Sequence, residues 1–205
     1  RFLKELYGKH AASFDDAESF CRRSRVGKPY ALIKDRIGDE LDDLAKMQAA
    51  AKEMTDLLGA LSGRVNVTIS KRVYTGRIEK KDGRIWLVTS AGGARFSMPV
   101  DPKKMIPAEL VSLTGYDVGD GKKALSAGLY LTWRRDYGGA RTQLKRAKGT
   151  VAERGLQRLD MLQKGMTELY AEELVSKARR AFAGKDYAAF GRHMAELRGK
   201  LADIV

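Results

Sequence analysis

Apolar positions along the chain follow two different periods. Between Gly63 and Val100 they alternate: Val65, Val67 and Ile69 are separated by Arg64, Asn66 and Thr68, the pattern of a strand with one buried face. A second strand is predicted over residues 73–79, with Gly76 inside it. Asp82-Gly83 is a hairpin-turn signal before a third strand over residues 84–89. Gly92-Gly93 turns the chain again, and Phe96, Met98 and Val100 alternate into a fourth strand.

On both sides of this stretch, apolar spacings of three and four predict helix. Leu3, Leu6 and Tyr7 share one face, and residues 13–17 form a turn into a second helix carrying Phe20 and Cys21. Residues 22–29 read as a basic loop broken by Gly27 and Pro29. A long helix is predicted from Tyr30, with Ile33, Ile37, Leu41, Leu44, Met47, Ala51, Met54, Leu58 and Leu61 in one stripe. Its opposite face carries Asp39, Glu40, Asp42, Asp43, Lys52 and Asp56, and Gly63 stops it. A stripe this short favours packing within its own domain over a dimerising coil. After the strands, Pro107 suits the first turn of a helix with Leu110, Val111 and Leu113. Residues 116–123 read as a loop, and 124–134 and 138–148 as a helical hairpin around Asp136-Tyr137. Residues 157–180 form a long amphipathic segment with Leu159, Leu162, Met166, Leu169, Tyr170 and Leu174 inside, and a last hairpin turns at Asp186-Tyr187.

Tyr74-Thr-Gly76-Arg-Ile78, Asp82-Gly83-Arg-Ile85-Trp-Leu87 and Phe96-Ser-Met98-Pro-Val100 resemble the strands of small SH3-like and Sm-like barrels. Glycine at position 76 tolerates the sharp bend such a barrel needs, and Pro99 suits an edge strand. A weak repeat runs through the helices. Asp136-Tyr137, Ala140 and Leu144 match Asp186-Tyr187, Phe190 and Met194, and Ser13-Phe14, Ala17 and Cys21 have the same spacing. This resembles the helix-turn-helix unit of tetratricopeptide-type repeats, without their regular period. The resemblance implies isolated hairpins with Tyr137 and Tyr187 buried at their turns. The long helix into Leu61-Ser-Gly63-Arg-Val65, the Tyr74-Thr-Gly76 strand and the Asp136-Tyr137 hairpin together resemble accessory regions of large bacterial serine/threonine kinases. That resemblance implies an attached, non-catalytic module, for the chain contains no kinase motif. The expected fold is α+β, mostly α: helical hairpins with one small four- to five-stranded antiparallel barrel inserted. Its expected parts are a helical hairpin and long helix at residues 1–61, the SH3-like/Sm-like barrel at 62–105, and a tetratricopeptide-like helical region at 106–205.

Charge narrows the function. The chain carries 39 basic and 26 acidic residues, a formal net of +13. Residues 1–61 hold eleven of each sign, whereas residues 62–105 hold ten basic and three acidic, a net of +7. Positive charge therefore concentrates on the strands and on the hairpin after them, which favours an acidic partner. Arg72, Arg77, Lys80, Lys81 and Arg84 on the barrel, with Arg134, Arg135 and Arg141 on the hairpin, are the candidate binding residues. Lys80, Lys81 and Arg84 surround a turn and are expected in solvent. Trp86 lies on the face opposite Ile85 and Leu87, either packed on a helix or exposed as a platform for stacking bases.

Catalytic chemistry finds no constellation. His10 and His193 are the two histidines and sit in different helices, and the single cysteine, Cys21, occupies a core helix position. Residues 115–123 lack the spacing of a phosphate loop, and Asp117 and Asp120 lack a glutamate to close a calcium loop. No enzyme activity, metal or cofactor is expected. The expected function is a non-catalytic protein-interaction or scaffold module of a larger bacterial protein, binding an acidic protein partner. Nucleic-acid binding through the basic barrel face, RNA or single-strand, is the alternative. No apolar run is long enough to span a bilayer. A cytoplasmic setting is expected; the start at Arg1 reads as a fragment of something longer, which leaves an extracytoplasmic one open.

Overall fold

The computed structural model describes residues 2–69, 71–91, 94–116 and 120–202, with side chains described at all of these except 91, 166–173 and 200–202. The turn expected at Gly92-Gly93, Asp117 of the 116–123 loop, and the inward side chains expected at Met166, Leu169 and Tyr170 lie outside this description. The chain is α+β and mostly helical. Helices α1 (Phe2–Lys9), α2 (Phe14–Val26) and α3 (Lys34–Gly59) come first. Strands β1 (Arg64–Ile69), β2 (Arg72–Lys81), β3 (Arg84–Ala91) and β4 (Ala94–Val100) follow. Helices α4 (Pro107–Thr114), α5 (Gly121–Trp133), α6 (Tyr137–Ala147), α7 (Thr150–Ala183) and α8 (Tyr187–Ala202) complete the chain. Residues 1–156 form one compact unit and residues 157–205 a second, with α7 crossing the boundary in sequence.

Local assignments differ from the sequence reading in several places: α5 begins at Gly121, inside the stretch read as a loop, α7 begins at Thr150 rather than at 157, and two more changes precede the strands. The basic stretch 22–26 is the end of α2, because arginine is a good helix former and Arg22 donates to Glu18 one turn back at 2.6 Å. Residues Lys28–Ile33 then form a 3-10 turn opened by Pro29, so α3 begins at Lys34 rather than at Tyr30. The stripe of α3 is otherwise as read: Ile37, Leu44, Met47, Met54 and Leu58 are buried. Its opposite face is not wholly solvated. Glu40 is buried and accepts from the Tyr7 hydroxyl at 3.2 Å. Asp43 is fully buried between Lys46 at 3.1 Å and Arg154 at 3.3 Å, and Arg154 also reaches Asp39 at 2.8 Å. A helix packed on two flanks buries polar positions that a single apolar stripe assigns to water, and pairing is what makes that burial tolerable.

The strands form one antiparallel meander in the order β1-β2-β3-β4. Among the described residues β1 and β4 do not pair, so the sheet is open and the expected barrel does not close. The bend at Gly76 explains both the likeness and the difference. β2 pairs with β1 through Arg72–Arg77 and with β3 through Arg77–Lys81, so it hands over from one neighbour to the other. A Cβ on Gly76 would lie 2.5 Å from the Val88 carbonyl oxygen, a distance no side chain tolerates. The inner face, with Val67, Ile78, Ile85, Leu87 and Val100 buried, meets the end of α3, where Lys80 and Ile85 lie against Gly59.

The hairpin turns are built on a shared backbone plan. Arg135 and Lys185 are both left-handed, with φ of 62° and 58°. Asp136 N–H donates to the Leu131 carbonyl and Asp186 N–H to the Ala181 carbonyl, both at 2.9 Å, the six-to-one bond of a Schellman end. Each aspartate then caps the next helix, accepting from Gly139 N–H at 3.0 Å and from Ala189 N–H at 2.9 Å. Ser13 shares only the cap, accepting from Asp16 N–H at 3.1 Å. The tyrosines are not the wedges expected of them: Tyr137 is half-buried and Tyr187 is 63% exposed. Tyr187 nevertheless meets Phe182 of the preceding helix edge-on, with ring centroids 6.1 Å apart. In the first unit the seam is closed by Leu144, whose side chain fills the space left by Gly128 and Gly155.

Candidate binding face

The eight cationic candidates separate into two groups. Arg134, half-buried, and Arg135, which stays exposed, both donate to backbone carbonyls. Arg134 donates to the Tyr130 hydroxyl at 2.6 Å and to the carbonyls of Lys103 and Met105 at 2.7 and 3.1 Å, clamping the chain that leaves β4. Arg135 donates to the Tyr7 carbonyl at 2.9 Å and so caps the end of α1. Arg141 is half-buried and engaged within the fold. Arg134 and Arg135 therefore brace the fold, and Arg135 also presents its charge to solvent.

The strand cations do present charge, on one face. Alternation along the strands puts Arg64, Arg77, Lys81, Arg84 and Arg95 on the outer side of the sheet, and all five are exposed. Arg64 and Arg95 escaped the sequence reading, although the alternation with Val65 and Phe96 carried the signal. Lys80 belongs to the inner side and leans over the end of α3, with its Nζ 3.7 Å from Asp56. Arg72 is exposed at the start of β2. Register makes the outer face unusual: Arg64 stands directly opposite Arg77, and Lys81 directly opposite Arg84. Like charges in direct cross-strand pairs destabilise a sheet. Arg77, Lys81 and Arg84 have no ion-pair partner among the described residues.

Trp86 is half-buried at the middle of this face, opposite Glu79 on one side and Pro99 on the other. Arg95 reaches over β3 to Glu79 at 2.6 Å. A carboxylate consequently stands beside the indole, and the five cations and one anion leave the face at +4. Of the other aromatics on the strands, Tyr74 is half-buried and Phe96, on the edge strand β4, is 51% exposed.

The two sheet edges are unequal. The Thr68 N–H of β1 points outward and donates to Glu109 of α4 at 2.7 Å. On β4, Ala91 pairs with Ala94 beside a two-residue connection, so Arg95, Ser97 and Pro99 occupy the pairs whose backbone groups face away from β3. Pro99, which has no N–H, fits only that phase. No hydrogen bond reaches the Arg95 or Ser97 N–H among the described residues.

The remaining chemistry is structural. Cys21 is fully buried, and burial, reinforced by Glu40 and Glu18, pushes its thiol up to about 12. Burial first, then Glu53, pushes Tyr116 up to about 12. His10 lies 2.8 Å from Asp16 and stacks on Phe20. Among the described residues no group of three or more His, Cys, Asp or Glu side chains is arranged to hold a metal ion, and no helix is long and apolar enough to cross a membrane. A groove of about 540 Å³ lies between α3 and α5, floored by Tyr130 and Trp133. Its rim charges Lys52 and Asp56 pair with each other at 3.0 Å. No protein-family model, curated protein or solved structure matches the chain.

Proposed function

We propose that the chain is a non-catalytic binding module of a larger bacterial protein, taking an acidic protein partner on the outer face of its sheet. The observation that carries this reading is the pair of uncompensated like-charge contacts, Arg64 opposite Arg77 and Lys81 opposite Arg84, on an exposed face. Such pairs cost the free protein stability. An anionic partner relieves both at once, so the repulsion becomes part of the binding free energy. The likeness to tetratricopeptide-type hairpins and small barrels, and a cytoplasmic setting, belong to the same proposal.

A second reading, single-stranded nucleic acid, is favoured by Trp86, which lies on the charged face rather than under a helix. Glu79 argues against it. Its carboxylate, opposite the indole, repels a phosphate backbone that would have to pass there to stack a base. The test is fluorescence anisotropy with a labelled glutamate-rich peptide and a labelled oligo-thymidine, against the wild-type chain and the Arg77→Glu/Lys81→Glu/Arg84→Glu variant. Peptide binding lost in the variant supports the proposal. Tighter oligonucleotide binding that fades steeply between low and moderate salt replaces it with the second reading. Unchanged peptide binding in the variant removes the outer face from the site.

A further inference from the structure

We infer that the α7–α8 hairpin of the second unit docks an acidic amphipathic helix, laid across it as the start of α7 is laid across the α5–α6 hairpin. None of its residues belongs to the sheet, and the inference does not rest on the function proposed for that face. Three observations carry it. First, the two hairpins share one plan fifty residues apart, down to the Schellman bond and the aspartate cap, so their positions correspond one to one. Between the paired helices the correspondence extends to burial: Ala124 and Gly128 are buried in one hairpin, Leu174 and Ala178 in the other. Away from that seam it fails. Thr132, Ala140 and Leu144 are at most 1% exposed, whereas their counterparts are Phe182, 58% exposed, half-buried Phe190 and Met194, 41% exposed. Phe182 touches the rings of both Tyr187 and Phe190, so these exposed groups form a patch rather than scattered single residues.

Second, the first hairpin shows what covers such a face. Gly155 of α7 lies against both arms: a Cβ there would meet Leu144 of α6 at 2.9 Å and Leu129 of α5 at 3.6 Å. The occupant of that face is a helix. On the second hairpin the matching positions are Met194 and Arg179, and Arg179 is exposed with no ion-pair partner among the described residues. Third, that change sets the chemistry of the occupant. A covering helix meets an apolar side chain on one arm and a guanidinium on the other, so it needs an apolar stripe with carboxylates beside it. Residues 174–199 hold six basic and two acidic side chains, a net of +4. A second copy would bring like charges together there, whereas an acidic helix neutralises them.

The probe is a labelled eighteen-residue peptide with leucine and alanine in one helical stripe and glutamate on both flanks, set against a scrambled peptide of the same composition. Anisotropy with the full chain is expected to show at least tenfold weaker binding of the scrambled peptide. Arg179→Glu and Met194→Lys, both at exposed positions, are each expected to lose at least tenfold in affinity with unchanged far-UV circular dichroism. Arg179→Glu is also expected to bind a version with lysine in place of glutamate at least tenfold better than the wild-type chain does. In the wild-type chain, the amide resonances of residues 179–194 should shift on adding the striped peptide, which tests the site even where a variant fails to fold. The Arg77→Glu/Lys81→Glu/Arg84→Glu chain should bind the peptide as the wild type does. Unchanged affinity in both hairpin variants overturns the inference. Binding lost in the sheet variant alone gives the peptide to the sheet, which overturns the inference and leaves the proposed function standing. A concentration-dependent dimer abolished by Met194→Lys assigns the patch to a second copy, and tighter association with anionic phospholipid vesicles than with the peptide assigns it to a membrane surface; either result overturns the inference.

Discussion

Leu144 offers the sharpest test of how the first unit is held together. Its side chain is 1% exposed and lies between two glycines on neighbouring helices. A Cβ added to Gly128 would fall 2.7 Å from Leu144 Cγ, and one added to Gly155 would fall 2.9 Å from Leu144 Cδ2. Leu144→Ala removes the branched end of the side chain, and glycine neighbours have nothing with which to refill the space. The expected cost is therefore in the upper part of the usual range for such truncations, about 4 kcal/mol. Gly128→Ala alone should also destabilise, by about 1 kcal/mol, as overpacking outweighs the helical preference for alanine. Combined, the two should not add. The new methyl enters the space Leu144 has vacated, the alanine keeps its helix propensity, and Gly128→Ala becomes neutral or stabilising in the Leu144→Ala background. A coupling of about 1–2 kcal/mol follows. Urea unfolding of the four proteins measures it, with a constant m-value as the condition for comparing them. Simple additivity, or a Leu144→Ala cost below about 1.5 kcal/mol, refutes the wedge.

Two further outcomes follow from the inward-facing groups. Cys21 should resist a thiol reagent at pH 8 in the folded chain and react at the rate of unfolding. Its folded pKa of about 12 against 9.0 also means that its contribution to stability is fully present below pH 9 and is lost as pH rises toward 12, which urea midpoints across that window measure. Arg135→Ala should cost about 1–2 kcal/mol, by uncapping the Tyr7 and Gly8 carbonyls, and leave acidic-peptide binding unchanged, whereas Arg77→Ala should do the reverse. Thermal melts and anisotropy on the same two variants separate structural from binding arginines.

The pattern of the strands was legible because a single period decides it: Val65, Val67 and Ile69 have one face to bury. Their closure was not legible. Closure depends on the path of β2 where it changes partners beside Gly76, and what keeps that position free of a side chain is the carbonyl of Val88, twelve residues away. The bracing contacts of Arg134 and Arg135 were hidden for a related reason. Arg134 and Arg135 look like the strand cations in sequence, but their acceptors are backbone carbonyls at Lys103 and Tyr7, and a carbonyl leaves no mark in a sequence. Glu40 and Asp43 went to the wrong side of α3 because its second packed flank comes partly from Arg154, more than a hundred residues on. Lys80 is exposed, as its place beside the turn implied, but it stands one residue from Lys81, and one residue is enough to change faces.

The handover in β2 has a mechanical consequence. Arg77 is the one residue of β2 laddered to both neighbours, so the sheet consists of two ribbons riveted at a single position, with Gly76 beside the rivet. A change in the angle between the β1–β2 ribbon and the β3–β4 ribbon therefore strains few ladder bonds. One charged pair, Arg64 with Arg77, sits at the rivet itself, and the other, Lys81 with Arg84, at the far end of the β2–β3 ladder. An anionic partner of the kind proposed would, by holding Arg64 of β1 and Arg84 of β3 together, splint the joint, and the curvature of the sheet would become a property of what is bound to it.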